Sequence, residues 1–132
     1  MNNLKVKKSI FENIKHFDEN GNEYWLAREL MIVLEYKKWE RFSNTIENAK
    51  FACENSGYNV NEHFPEVGKM ISIGKGGKRI VEDYKLSRYA CYLIAQNADS
   101  RKRPVALAQT YFAVQTRKQE IIEKDYNLLT EE

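Results

Sequence analysis

The stretch Gly74–Asp99, GKGGKRIVEDYKLSRYACYLIAQNAD, decides how the chain is read. Its first six positions hold three glycines and three basic residues, and a well-formed helical pattern follows them further on. A phosphate-gripping P-loop would need GxxxxGK followed by Ser or Thr, emerging from a strand into a helix. Counting back from Gly77-Lys78 puts Ser72 where the first glycine belongs, and Arg79 where the magnesium-holding hydroxyl belongs. The residues just after the glycines are strand-like, so no helix N-terminus would face a phosphate. A hairpin tip fits better: Ile71 and Ile73 alternate before the glycines, and Ile80 alternates with charged residues after them. Gly74, Gly76 and Gly77 permit positive φ in such a turn. Lys75, Lys78 and Arg79 would then fan out as a cationic finger able to contact phosphates or lie in a groove. Local sequence leaves open a solvated loop whose charges serve solubility alone.

Outward from this hairpin, taken as Met70–Asp83, the pattern is mainly helical. Ser87 or a neighbour starts a helix with Leu86, Tyr89, Ala90, Leu93, Ile94 and Asn97 on one face. A loop, Asp99-Ser100-Arg101-Lys102-Arg103, leads to Pro104, suited to the first turn of a last helix over about 104–126. Leu107, Tyr111, Val114 and Ile121 keep heptad-like spacing there, interrupted by Lys118, and that helix is expected to project. The stripe would serve a partner or a second copy of the chain, or fold back onto the domain. Nearer the N-terminus, Asn20-Gly21 signals a two-residue hairpin turn that sets Phe17 opposite Tyr24 and His16 opposite Trp25. A helix follows with Leu26, Leu30, Val33 and Leu34 on one side, and Arg28 and Glu29 on the other. A second, from about Lys38 to Asn55, repeats Trp39, Phe42, Ile46, Ala49 and Cys53 and stops at Gly57. Tyr58–Lys69, with Pro65 and Gly68, reads as a loop. The expected fold is one α+β domain over 1–132, mainly helical with two small antiparallel hairpins.

Composition agrees with an intracellular globular domain. At 132 residues, 42% hydrophobic and 12% aromatic, the chain can bury one core. The apolar run Leu30–Leu34 falls far short of the ~20 residues that span a bilayer, and no secretory h-region follows Lys5, Lys7 and Lys8. Cys53 and Cys91 lack metal or redox spacing and read as buried thiols of a cytoplasmic protein. The net charge of +2 hides an asymmetry: residues 1–68 carry −2, residues 69–118 carry +8 and residues 119–132 carry −4. A central basic block of this kind attracts polyanions, though a solvated lysine-rich surface would look the same.

Catalytic signals are weak. Asn61-Glu62-His63-Phe64 lacks the second histidine of a zinc motif, and the other histidine, His16, sits in the first hairpin. No GxSxG occurs. Glu82-Asp83 lacks the partner acid and lysine of a nuclease, and is read as favouring the start of the following helix. No cofactor or metal is implied. Phosphate contacts are expected from Lys75, Lys78, Arg79 and Arg88, with Arg101, Lys102 and Arg103 second. Trp25 and Trp39 belong to the core or stack on exposed bases.

Several blocks carry a resemblance: Trp25-Leu26-Ala27-Arg28-Glu29-Leu30, Trp39 with Phe42, Ala52–Gly57, Lys78-Arg79 with Val81-Glu82-Asp83, Leu86–Ile94, Gln96–Asp99 and Ala108–Arg117. In order over roughly Phe11 to Glu120, they resemble the DNA-damage-inducible protein D family of bacteria. More distantly, the aromatic hairpin and helix are similar to the N-terminal domain of viral BRO proteins and phage antirepressors. The resemblance implies a non-enzymatic role in the SOS response, with DNA or the RecA recombinase filament as partner and no membrane. The competing reading is a protein-interaction or dimerisation module acting on RecA through the last helix, without DNA contact. Family members are about twice this length, so the chain looks like an N-terminal portion. Glu35 replaces the glycine expected in a Leu-Gly-Tyr helix ending, which implies an altered turn at Tyr36.

Overall fold

In the computed structural model, which describes residues 10–114, four strands join into one antiparallel sheet. They are β1 Lys15–Phe17, β2 Glu23–Leu26, β3 Glu66–Ser72 and β4 Lys78–Leu86, in the order β1-β2-β4-β3. The helical segments among the described residues are 10–13 (α1), Ala27–Val33 (α2), Trp39–Asn55 (α3), Val60–His63 (α4), Arg88–Asn97 (α5) and 103–114 (α6). The fold is α+β, as expected. Residues 58–69 are more ordered than the sequence suggested: α4 and the first half of β3 replace the anticipated loop.

The first hairpin has a wider turn than expected. Asp18 N–H donates to Asn22 O at 2.9 Å and Gly21 N–H to Asp18 O at 3.0 Å, with Gly21 at φ +81°. This is a type I turn followed by a left-handed residue, the three-residue hairpin loop. Asp18 Oδ1 fastens it by accepting from the Asn20 and Asn22 amides, both at 2.9 Å. Pairing is thereby displaced by one residue: His16 faces Tyr24 and Phe17 faces Glu23, correcting the Phe17–Tyr24 and His16–Trp25 pairs. Register decides which side chains share a face. His16 and Tyr24 stack with centroids 5.3 Å apart, while Phe17 is exposed.

α2 begins directly after β2, with apolar Leu26 in the capping position and unable to accept a hydrogen bond through its side chain. Asp83 of β4 acts instead. Its buried Oδ1 accepts from Arg28 N at 3.0 Å and Tyr84 N at 2.9 Å, satisfying an orphan donor of the first turn. Asp83 thus starts the preceding helix α2, not the following one, and couples it to the sheet. α5 is started by Ser87, whose Oγ accepts from Ala90 N at 3.0 Å.

α2 and α3 end in the same way. Tyr36 N–H reaches Met31 O and Glu35 N–H reaches Ile32 O; Tyr58 N–H reaches Cys53 O and Gly57 N–H reaches Glu54 O. Both are Schellman caps, which require a left-handed residue after the helix. Gly57 takes φ +85° freely, and Glu35 is forced to φ +63°. The turn at Tyr36 is therefore an ordinary Schellman ending: the bond pair holds the glutamate in a glycine conformation.

Trp25, Leu30, Phe42, Ile46, Leu86, Ile94 and Phe112 are fully buried and knit α2, α3, α5 and α6 to the inner end of the sheet. Each such side chain contributes roughly 1.5–3 kcal/mol through burial. Phe11, in the α1 segment that the sequence did not reveal, packs on Phe112 at 5.4 Å and accepts the Trp25 indole N–H through its carbonyl at 3.0 Å. Cys53 and Cys91 are free and buried. Among the described residues, no helix is long and apolar enough to cross a membrane.

Candidate nucleic-acid interface

β3 and β4 pair from Glu66↔Tyr84 out to Ser72↔Lys78, and only the inner end is covered. Tyr84 is buried and its hydroxyl accepts from Lys50 Nζ at 2.9 Å, while Lys50 lies over the ring at 4.5 Å. Further out, the cross-strand pair Met70 and Ile80 is 59% and 66% exposed, so the hairpin leaves the body as an arm. Its tip closes through Ile73 N–H to Gly77 O at 3.1 Å and Gly77 N–H to Gly74 O at 2.8 Å. Gly74, Lys75 and Gly76 have φ of +91°, +45° and +79°. Gly77 does not; a Cβ there would lie 3.1 Å from Ile73 Cγ1 and 3.3 Å from Gly74 O, so that position calls for a small residue. Lys75, Lys78 and Arg79 are exposed, and none enters an ion pair among the described residues. Register puts Lys78 on the Met70–Ile80 face and Arg79 on the opposite one with Ile71.

Arg88 behaves differently from its expected role. Its Nε and Nη2 donate to Glu23 at 2.6 Å each, and the guanidinium lies over Trp25 at 5.4 Å. A bidentate, part-buried pair of this kind ties α5 to β2 and leaves little charge for a phosphate. Arg28 is likewise engaged, donating to Glu82 O at 2.6 Å and stacking over Trp39 at 4.1 Å. Trp25 is core, and half-buried Trp39 carries that guanidinium on one face.

Arg101 and Lys102 lie in a different place from the arm. They line an open groove of about 890 Å³ between the α2–α3 and α5–α6 connections, and Lys37, Lys38 and Arg41 line its other side. Arg101 is 89% exposed and donates to both oxygens of Asp99 at 3.0 Å. Those hydrogen bonds hold the Asp99 carboxyl at a pKa of about 2, so it is ionised throughout the physiological range. Lys102 Nζ donates to Glu35 O at 3.3 Å, and Asp99 N–H donates to Tyr36 Oη at 3.2 Å. Arg103 borders a smaller cleft, of about 290 Å³, with Ile10, Val33 and Pro104. Lys37, Lys38 and Arg41 went unnoticed because residues 1–68 sum to −2; a shorter window, KKWER, would have exposed the local cluster.

The stripe on the last helix is largely spent within the fold. Tyr111 is buried, stacks on Phe11 at 5.3 Å and donates to the Glu12 carboxylate. Burial and that carboxylate push its pKa well above the usual range. Leu107 is half-buried against the core and Val114 is exposed. Over 103–114 the helix lies against the body rather than projecting; Ile121 and the run towards Tyr126 lie outside the described residues. His63, which the sequence weighed as a metal ligand, shares a 2.7 Å hydrogen bond with Ser87 Oγ, and burial lowers its pKa. Among the described residues, no group of three or more His, Cys, Asp or Glu is arranged to hold a metal.

A helical body with a cation-tipped antiparallel arm is the frame into which known proteins can be placed. Residues 13–113 match the BRO family, N-terminal domain, and the chain belongs to that family. The match takes in the whole sheet, the arm and the groove. DNA damage-inducible protein D of Escherichia coli (strain K12) is 47% identical over 115 residues, which is 87% of this chain and 42% of that protein. The chain therefore spans less than half the length of that curated relative. No solved structure matches it.

Proposed function

We propose that this is a non-enzymatic nucleic-acid-binding domain of the DNA-damage response, which grips the phosphate backbone through the tip of the β3–β4 arm. One observation carries the reading: Lys75, Lys78 and Arg79 stand on an extended hairpin without a carboxylate partner among the described residues. Charges left unpaired at a narrow, protruding tip are suited to release counterions from a polyanion. The damage setting is supported by the name of the 47% identical relative. In that setting the DNA is the strand carried by a recombinase filament, and binding modulates recombination. Contact with RecA alone, through the last helix, is the weaker alternative, since Tyr111 of its stripe is committed to the core.

Labelled single- and double-stranded DNA, titrated across a salt series, tests this. A Lys75→Ala/Lys78→Ala/Arg79→Ala variant is expected to bind about tenfold more weakly at low salt, with the log–log salt slope reduced by about 2. Its unfolding midpoint should match the wild type. Unchanged salt-sensitive affinity removes the arm from the interface, and metal-dependent strand cleavage would replace the reading with a nuclease.

A further inference from the structure

The groove described above has no assigned role. Five cations, Lys37, Lys38, Arg41, Arg101 and Lys102, line it against two carboxylates, Glu35 and Asp99. Asp99 is already matched by Arg101, and Lys37, Lys38 and Arg41 have no ion pair among the described residues. Their position opposes local stability. Lys37, Lys38 and Arg41 outnumber the single first-turn acid, Glu40, at the start of the 17-residue α3, the positive end of its dipole, where no side chain caps the free amides. Sequences break such a local rule chiefly where function demands it.

Shape and rigidity point the same way. The two connections are stitched together by Tyr36 Oη with Asp99 N and by Lys102 Nζ with Glu35 O, so the walls are held before any ligand arrives. Asn44 adds a neutral hydrogen-bonding group beside the cations, whereas the Thr45 hydroxyl and the Asn97 amide already donate to Arg41 O and Leu93 O within their own helices. The volume of about 890 Å³ falls within the roughly 300–1,000 Å³ of small-ligand sites. A nucleotide unit of a strand offers that combination of phosphate charge and base or sugar edges.

We propose that the groove between the α2–α3 and α5–α6 connections is a second phosphate site, in which Lys37, Lys38 and Arg41 hold the backbone of a nucleic-acid strand. It rests on the nucleic-acid reading of the domain and adds a contact built from elements other than the arm. The strand is gripped in two places. α2 joins them: its first turn is bonded to Asp83 at the base of the arm, and its end leads into Glu35 at the rim of the groove.

The test is a Lys38→Ala/Arg41→Ala variant, made in both the wild type and the arm triple variant and titrated with end-labelled oligothymidine and duplex across salt. The expected result is about fivefold weaker binding in each background and a further drop of roughly 1–2 in salt slope. In the wild type, inorganic pyrophosphate should move the amide resonances of residues 38–41 and 97–102. An unchanged slope in both backgrounds, with those resonances still, overturns the site. Resonances that move without any change in slope assign the groove to a free phosphate compound and overturn the strand contact. Loss of binding in the groove variant alone, with the arm variant unaffected, supports the groove and sinks the arm.

Discussion

Between Asp83 and Leu86, β4 carries three buried residues and bonds to β2 and α2. Between Lys78 and Ile80 the same strand pairs only with β3, and every side chain lies in solvent. Both halves are antiparallel and both contain large apolar residues. What separates them is a second layer: helices cover the inner half and nothing among the described residues covers the outer one. Pairing alone makes a two-stranded ribbon marginal in water, so the arm depends on its anchored base. Its free cations can then be altered without disturbing the core, which lets binding and folding be tested apart.

The largest expected effect is at the inner end. Leu86→Ala should cost about 3 kcal/mol and lower the melting temperature by roughly 10 °C. Ile80→Ala, six residues away on the same strand, should change stability by less than about 0.5 kcal/mol. Equal losses in thermal denaturation would show that the arm is packed and end the contrast.

A smaller loss is expected at the hinge between the halves. Asp83→Ala removes the acceptor for Arg28 N and should cost about 1–2 kcal/mol in urea unfolding, whereas Asp83→Asn keeps an oxygen and should recover most of it. Wild-type stability in the alanine variant would mean that α2 is started by something else.

The smallest effect has the opposite sign. Glu35→Gly relieves a left-handed glutamate and should stabilise by about 0.5 kcal/mol, the gain being reduced by the freer unfolded chain. DNA affinity should not fall, since the change leaves the arm alone and removes one carboxylate from the groove. A destabilised variant would show that the Glu35 side chain supports the frame.

Local signals were legible where they satisfy local rules. Helix α3, its stop at Gly57, the Ser87 cap and the glycine-rich tip can all be read from neighbouring residues. The signals that failed depend on distant partners. Asp83 caps a helix 55 residues earlier in the chain, so adjacency assigned it to the wrong one. Arg88 looked like a free cation because Glu23, 65 residues away, is invisible to a local charge count. The register at Asn20-Gly21 turned on Asp18 accepting two amides, which widened the loop by one residue. Of the candidate site, the tip was visible in the sequence and the groove was not, because only folding brings Lys38 and Arg101 to opposite sides of one groove.

Cys53 on α3 and Cys91 on α5 give the domain a built-in reporter. Both sulfurs are sealed from solvent, and burial holds the Cys91 thiol proton well above its ordinary pKa. Thiolate is the reactive form, so a maleimide meets a nucleophile only in molecules that have opened. Alkylation rate in neutral buffer therefore counts opening events in the unmodified protein, and whether an arm or groove substitution has loosened the body can be read from it directly.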